Sequence, residues 1–373
     1  MRFTVSSGTL SARLQTLARV INNKSTLNIM DCFLFEIADG TLTLTASDND
    51  NVMTSRIALD SCEGEARFAV NNRTMLSAVK ELAEQPLSFE VNEQTLEVEI
   101  QYLNGQYRFT AQDADDYPEA QALGEDNTEI VMESATLAEC LNRTLFATAQ
   151  NEIRPVMGGV CFDLTPDCLA IVATDGHKLV RNRLYAITDD NGARFVMPQK
   201  PAQLLKTVLP KEGEVSVRFD NRCAEVTYAD STLVCSLIEG RYPNYNSVIP
   251  SNNSNCVTVD RKALIGALRR VLPFASESSE LVRFHLENGM ICLSSEDIDF
   301  ATSARENVMC EYEGPRMDIG FKGSTIYDVL NNVGGDEVFI KLADPSRSGV
   351  IVPTEQEENE ELLMLVMPML LND

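Results

Sequence analysis

The chain is built from three copies of one unit. Leu10, Leu137 and Leu264 lie 127 residues apart each time, and Leu14, Leu141 and Leu268 repeat the interval. Each stands in a stretch apolar at helical spacing, which predicts a helix at the start of every copy. Ser7, Ser134 and Asp260 precede these stretches and are the natural N-cap candidates. Further along, an alternating strand pattern recurs at intervals of 127 and 122 residues, through Leu42, Leu169 and Ile291 and then Leu44, Ile171 and Leu293. The same two intervals align an acid in the following turn (Asp48, Asp175, Asp297) and an arginine beyond it (Arg56, Arg183, Arg305). They also align a basic residue opening a second helix: Arg73, Lys200 and Lys322. A period of about 125 residues is far longer than a solenoid unit, so the repeating object is a whole domain.

Each copy therefore reads helix, strands, second helix, then further strands such as those within 87–100 and 215–228, an α+β class. Residues 113–129 and 240–255 are rich in Pro, Gly, Asn and Asp and have the character of linkers. The expected domains are 1–122, 128–250 and 254–373, each long enough to bury its own core. The acidic stretch 355–362, EQEENEEL, is expected to be a solvated loop.

Composition narrows the class. The longest nearly apolar stretch, 362–371, is about half a membrane span, and the start MRFTVSSG lacks the pattern of a secretory signal. A cytoplasmic protein without transmembrane helices is expected. Ten cysteines without a CxxC pair, and only His177 and His285 beside them, assemble no zinc pattern. They read as reduced, mostly buried small hydrophobes, and no metal or cofactor is expected.

A net charge of -25, spread evenly, argues against nucleic acid. It is not spread evenly. The six expected helical stretches (7–24, 72–84, 134–154, 199–211, 260–275 and 322–333) hold 15 basic and 6 acidic residues. They carry +9, which leaves -34 elsewhere. A basic helical surface repeated with pseudo-symmetry suits phosphate contacts without base readout. The ordinary polar faces of amphipathic helices account for the same count.

No phosphate-loop, dinucleotide, zincin or serine-hydrolase signature occurs. TDGHKL at 174–179 offers Asp175 and His177 as an acid–base pair, with Cys161 or Ser236 as nucleophile. Asp175 recurs as Asp48 and Asp297, as a structural turn acid would. His177 has no counterpart and marks a site used once per chain. The terminal LLMLVMPMLL carries a proline that blocks a central strand. It reads either as a last strand on the core or as an adaptable methionine-lined surface for partner peptides.

TDGHKL at 174–179, GRYPNY at 240–245 and LVMPM at 365–369, in that order on a threefold-repeated chain, resemble the bacterial sliding clamps, the beta subunits of DNA polymerase III. The resemblance implies three DNA-clamp domains per chain, each with two helices on an inner face and antiparallel sheets outside, and a head-to-tail dimeric ring. It implies a non-catalytic processivity factor that encircles double-stranded DNA without sequence specificity at the nucleoid. The implied partners are the replicative polymerase alpha subunit, the clamp-loader delta subunit and repair and translesion polymerases, bound through short linear peptides.

By position, the resemblance assigns DNA contact to Lys24, Arg73, Asn151, Arg154 and Lys200, with Lys322 added by the repeat. The partner-peptide pocket would use Met157, Thr174, Gly176, His177, Lys178, Leu179, Pro243, Val248, Leu365, Val366, Met367, Pro368, Met369 and Leu370. Ring closure would use Tyr107, Phe109, Leu272 and Phe274. Leu370 departs from the family, which often has a basic residue there. The rival readings are a non-DNA scaffold of repeated β-rich domains and a hydrolase using Asp175 and His177.

Overall fold

The computed structural model describes residues 1–22, 28–150 and 153–371. Every copy begins with a strand ahead of its first helix, an element the apolar periodicity does not separate. In the first copy β1 (Arg2–Ser6) leads into α1 (Ser7–Leu17). Then come β2 (Cys32–Ala38), β3 (Thr41–Ser47), β4 (Asn51–Ala58), β5 (Ser61–Glu63) and β6 (Ala66–Asn71). After α2 (Asn72–Lys80) the copy closes with β7 (Pro86–Val91), β8 (Glu97–Tyr102) and β9 (Gly105–Thr110). The second copy runs β10 (Thr128–Glu133), α3 (Ser134–Thr144), β11 (Gly159–Leu164), β12 (Leu169–Thr174), β13 (Lys178–Leu184) and β14 (Ala193–Pro198). It ends with α4 (Gln199–Val208), β15 (Glu214–Phe219), β16 (Cys223–Tyr228) and β17 (Ser231–Ser236). The third runs β18 (Asn255–Asp260), α5 (Arg261–Val271), β19 (Leu281–Glu287), β20 (Met290–Asp297), β21 (Thr302–Glu311) and β22 (Met317–Lys322). Last come α6 (Gly323–Asn332), β23 (Glu337–Leu342), β24 (Gly349–Pro353) and β25 (Glu360–Val366).

The twelve apolar residues that define the repeat are all fully buried, from Leu10 and Leu42 to Leu268 and Leu293. Burial of these leucines and isoleucines is what each copy has in common, at roughly 2 kcal/mol for each large side chain. The first helices begin at Ser7, Ser134 and Arg261. The first N–H of each donates to a carbonyl just ahead of the strand after the second helix: Gln85 at 2.9 Å, Gly213 at 2.8 Å and Asp336 at 2.8 Å.

Ser7 and Ser134 are consequently inside their helices, and both are buried. The α1 cap is Ser6, whose side chain accepts from the Thr9 N–H at 3.1 Å. Asp260 is a cap as expected, accepting from the Ala263 N–H at 2.6 Å, in register with Ser6. Replacing Asp260 by Ala is expected to lower stability by about 1 kcal/mol, with Asp260→Asn retaining most of it. Equal denaturation midpoints for native and Ala chains would show that the cap contributes nothing.

The turn acids behave as the repeat predicts. Asp48 accepts from the Asn51 N–H at 2.8 Å, Asp175 from His177 and Lys178 at 2.8 and 2.9 Å, and Asp297 from Asp299 and Phe300 at 2.9 and 3.2 Å. Such side-chain acceptance closes a tight turn. The third hairpin is longer beyond its acid, because Asp297 itself pairs with Thr302, whereas the carbonyl of Asn51 accepts from Asp48.

That difference corrects two alignments. Arg56 and Arg183 pair with Thr43 and Ala170, but the third-copy residue at that place, opposite Cys292, is Asn307 rather than Arg305. Likewise Arg73 and Lys200 are the second residues of α2 and α4, whereas Lys322 ends β22, in register with Asn71 and Pro198. Ser324 stands where the other copies have a cation.

Among the described residues all strand pairs are antiparallel and fall into three sheets, ordered β5-β1-β7-β8-β9, β10-β15-β16-β17-β4-β3-β2-β6 and β14-β11-β12-β13-β25-β24-β23-β18-β21-β20-β19-β22. Two ladders join different copies. β4 pairs with β17, with Asn51 opposite Cys235, and β13 pairs with β25, with Lys178 opposite Val366. The chain divides into two compact units, residues 1–138 with 200–237, and residues 139–199 with 238–373. The first holds copy one with β10 and β15 to β17; the second holds β11 to β14 with copy three.

The expected linkers are pinned by tyrosines. The Tyr117 hydroxyl donates to the Cys32 carbonyl at 3.0 Å, the Tyr242 hydroxyl accepts from the Thr174 N–H at 3.1 Å, and Tyr245 donates to Asp163 at 2.7 Å. A buried hydroxyl needs such a partner. The acidic stretch is solvated only over 355–359; Glu360 and Glu361 open β25 and pair with Arg143 and with Arg181 and Arg183. The ten cysteines are free thiols, seven of them buried. Among the described residues no helix is long and apolar enough to cross a membrane.

Candidate functional site

The turn between β12 and β13 and the end of β25 meet in the second unit. Gly176 has φ +92°, a conformation that favours glycine. The Thr174 hydroxyl accepts from the Gly176 N–H at 3.1 Å and donates to the Lys178 carbonyl at 2.7 Å. The Lys178 ammonium lies 2.6 Å from Asp175. Burial pushes the Asp175 carboxyl up, but the Lys178 side chain and the N–H groups of Lys178 and His177 outweigh it and hold it below the usual range. The turn is therefore rigid and ionised.

The carbonyl of His177 accepts from the Met367 N–H at 2.8 Å, immediately past the last ladder pair. This fixes the terminal segment against the turn. Beneath it, Leu179, Leu365, Tyr242 and Tyr245 share one buried apolar cluster with Cys161, Val172 and Val196. Met157 is buried, and a Cβ on Gly176 would stand 3.6 Å from its methyl group. Met367, tied to the turn through the His177 carbonyl, is 45% exposed, and Val248 and Leu370, at 53% and 86%, are exposed apolar side chains elsewhere on the linker and the tail. Pro243 follows the buried Tyr242, and Met369 bridges to Gly320 in β22, which leads the tail along that edge. The structure thus gathers Met157, Thr174, Gly176, His177, Lys178, Leu179 and Leu365 to Met367 around one place. Apolar floor, exposed Met367 and fixed backbone suit an extended peptide with large apolar anchors.

The hydrolytic alternative lacks its chemistry. Asp175 is engaged by its own turn and Lys178, and Cys161 is fully buried with its thiol pushed up to about 12 by burial, Asp163 adding to it. A protonated, inaccessible thiol is no nucleophile.

Among the described residues the six α-helices hold ten basic and two acidic side chains, so the charge partition expected from sequence persists. Several of these cations are already partnered. Arg13 pairs with Asp230 at 3.2 Å, Lys262 with Asp336 at 3.2 Å, and Arg270 with Glu306. Lys200 pairs with Asp48 and donates to the Val20 carbonyl at 2.7 Å. Lys322 lies 3.6 Å from Glu280. Arg154 is exposed, with its guanidinium 4.0 Å from the sulfur of the buried Met157. Arg73 is exposed at the start of α2. Arg269, exposed in the last turn of α5, escapes the sequence reading; its place on the polar side of RKALIGALRRV is the available signal. Lys24 and Asn151 lie outside the described residues.

β9 is the end strand of its sheet, with Tyr107 and Phe109 alternating on it half-buried, and the Tyr107 ring 5.0 Å from that of Tyr102. Leu272 and Phe274 occupy the single turn after α5, where Phe274 is 41% exposed.

Comparison with known families decides what these copies are. The DNA polymerase III beta subunit models match in full succession: the N-terminal domain over residues 1–121, the central domain over 131–244 and the C-terminal domain over 246–369. The chain belongs to the DNA polymerase III beta subunit family. Its three copies are three clamp domains, and its function is that of a sliding clamp, a processivity factor without catalysis of its own. Among similar proteins, the beta sliding clamp of Pseudomonas aeruginosa is 28% identical over 99% of this chain and 100% of its own length. That of Escherichia coli is 25% identical, again over 99% and 100%. Among solved structures, the DNA polymerase sliding clamp of Pseudomonas aeruginosa superposes with a TM-score of 0.92 at 26% identity, covering both chains completely. A sliding clamp from the same species bound to griselimycin gives 0.94 at 25%, with the same coverage. A protein that tethers without catalysis needs no nucleophile, and the hydrolytic reading of Asp175 and His177 falls with that need.

Proposed function

We propose that two copies of this chain close head to tail into a ring around duplex DNA, and that the groove at His177 and Met367 holds peptides of the polymerase, the clamp loader and repair polymerases. The domain boundaries 1–122, 128–250 and 254–373 belong to the same reading, as does residence at the nucleoid.

One observation carries it. β4 of the first domain pairs with β17 of the second, and β13 of the second pairs with β25 of the third. Both junctions have the same form. The residue after the hairpin turn faces the penultimate contact of its neighbour (Asn51 opposite Cys235, Lys178 opposite Val366), and the next N–H, of Ser236 or Met367, donates to the turn carbonyl of Asp50 or His177 at 2.8 Å. Three residues past Cys235 and Val366, Ile238 and Met369 reach back to Val196 and Gly320 in their own domains.

The third domain's counterpart of β4 and β13 is β21, and the first domain's counterpart of β17 and β25 is β9. Gln112 reaches back to Ala69 as Ile238 and Met369 do, which makes Phe109 the equivalent of Cys235 and Val366. A second copy then supplies the missing partner, with Phe109 opposite Thr302 and Tyr107 opposite Ala304. The pairing satisfies two strand edges that would otherwise template aggregation, and a heterologous contact that closes after two copies makes a ring. Leu103 and Met309, each 77% exposed, fall at one end of this ladder.

Within the ring Arg73 and Arg269 supply phosphate contact, while Lys200 serves mainly to hold Asp48. Few free cations on the helices among the described residues favour loose, movable contact, as sliding requires. The test is retention on DNA after loading: release from linear but not from nicked circular molecules is expected, and equal release from both would overturn the tethering mechanism.

A further inference from the structure

The third hairpin turn differs from its two counterparts in length and in chemistry. Asp48 and Asn51 enclose Asn49 and Asp50, and Asp175 and Lys178 enclose Gly176 and His177, all polar or small. Asp297 and Thr302 enclose Ile298, Asp299, Phe300 and Ala301. Ile298 is 85% exposed and Phe300 78%. Two large apolar side chains at the tip of a hairpin cost solubility and add nothing to the core on which their own domain rests.

The place of this turn says what covers it. In both internal junctions the corresponding turn touches the neighbouring domain, through the carbonyls of Asp50 and His177. The third turn stands at the start of β21, whose edge away from β20 is paired with β18 only at Cys310 and Glu311, so that the stretch from Thr302 to Met309 has no strand beside it on that side. The contact that the other turns make within the chain can be made here only by a second copy.

The surface it would meet is also readable. Thr110 is the equivalent of Ser236 and Met367, and the next residue, Ala111, donates its N–H to the carbonyl of Leu96 at 2.7 Å, as Leu237 does to Arg222 at 2.8 Å. Leu96 is half-buried and held at φ +56°. The second domain has an arginine at this place and the first has an apolar side chain, so only the first domain offers a landing for an apolar tip.

We propose that the Ile298–Phe300 tip is an added apolar anchor of ring closure, seated on the first domain of a second copy of this chain next to Leu96 of the partner subunit. This rests on the head-to-tail ring proposed above and adds to it a contact that the two internal junctions lack. Apolar side chains desolvated at the end of a ladder slow its opening more than its formation.

The experiment compares the native chain with Ile298→Ser/Phe300→Ser by light scattering and by the rate of subunit exchange. A dimeric native chain, with the variant dissociating at least about tenfold more readily and with an unchanged unfolding midpoint, is the expected result. A dimeric native chain whose variant has the same dissociation constant overturns the anchor and leaves the ring standing. A monomeric native chain at micromolar concentration overturns both. The Ile298→Leu/Phe300→Tyr chain, which keeps most of the apolar area, should match the native one; if it dissociates like the serine variant, the apolar anchor is again wrong.

Discussion

A chain carrying Tyr107→Cys and Ala304→Cys, with the exposed Cys256 and the partly exposed Cys62 and Cys310 replaced by serine, is expected to convert under mild oxidation into a covalently closed dimer. The two positions are opposite one another in the ladder inferred for β9 and β21, and directly opposed antiparallel residues have Cα atoms about 4.5 to 5.5 Å apart, within the span a disulfide bridges. Either cysteine alone should leave the chain monomeric on a denaturing gel. The pair Tyr107→Cys and Glu306→Cys, displaced by two residues, should link poorly, since the diagonal separation exceeds what the bond allows. Preferential linking of that displaced pair would show that the internal junctions are not a guide to the register of the outer one. When closed around a nicked plasmid, the covalent ring should remain on the DNA through denaturation, the largest effect available to any test of topological tethering.

The replacement Met367→Ala with Met369→Ala is expected to weaken binding of a short linear peptide from the replicative polymerase about thirtyfold, because each truncated side chain forgoes roughly 1 kcal/mol of apolar burial against the ligand. Neither residue belongs to the ladder, which ends at Val366, so β25 and its pairing with β13 should persist. Calorimetry on the intact chain reads the affinity and light scattering reads the assembly state. Undiminished affinity would remove the groove at His177 from the mechanism. A loss of dimer in parallel with affinity would show that the terminal segment acts on the fold rather than on the ligand.

The repeat is legible because its leucines are core residues, and burial keeps apolar residues at fixed intervals whatever the surface does. The turn acids are legible for a related reason, since Asp accepting from backbone two or three residues on is a local structure. Registers beyond the third hairpin are not. A length change inside a solvent-exposed turn shifts every later residue while leaving the apolar pattern on either side of it intact, and Arg305 and Lys322 both lie beyond the turn after Asp297. The helix start at Ser7 is misplaced by one residue because Ser6 and Ser7 are adjacent, both competent to cap, and only burial separates them. The proposed peptide groove is reached through TDGHKL and LVMPM; the resemblance assigns Arg154 to DNA contact by position, and the Met157 sulfur 4.0 Å from its guanidinium is not visible in the sequence. Lys200 shows the same limit: a cation on a helix says nothing about the carboxylate already facing it.

The two cross-copy ladders separate the unit of repetition from the unit of cohesion. The sequence repeats in three segments, yet the compact bodies of the chain are cut through the middle segment, inside α3 and at the opening of α4. A gene fragment encoding the middle segment alone would strip β17 and β13 of their partners and leave two sticky margins on one small protein. The polypeptide is thus better regarded as one and a half plus one and a half than as three, and a break in the circle proposed above would have its natural site where two molecules meet rather than within either of them.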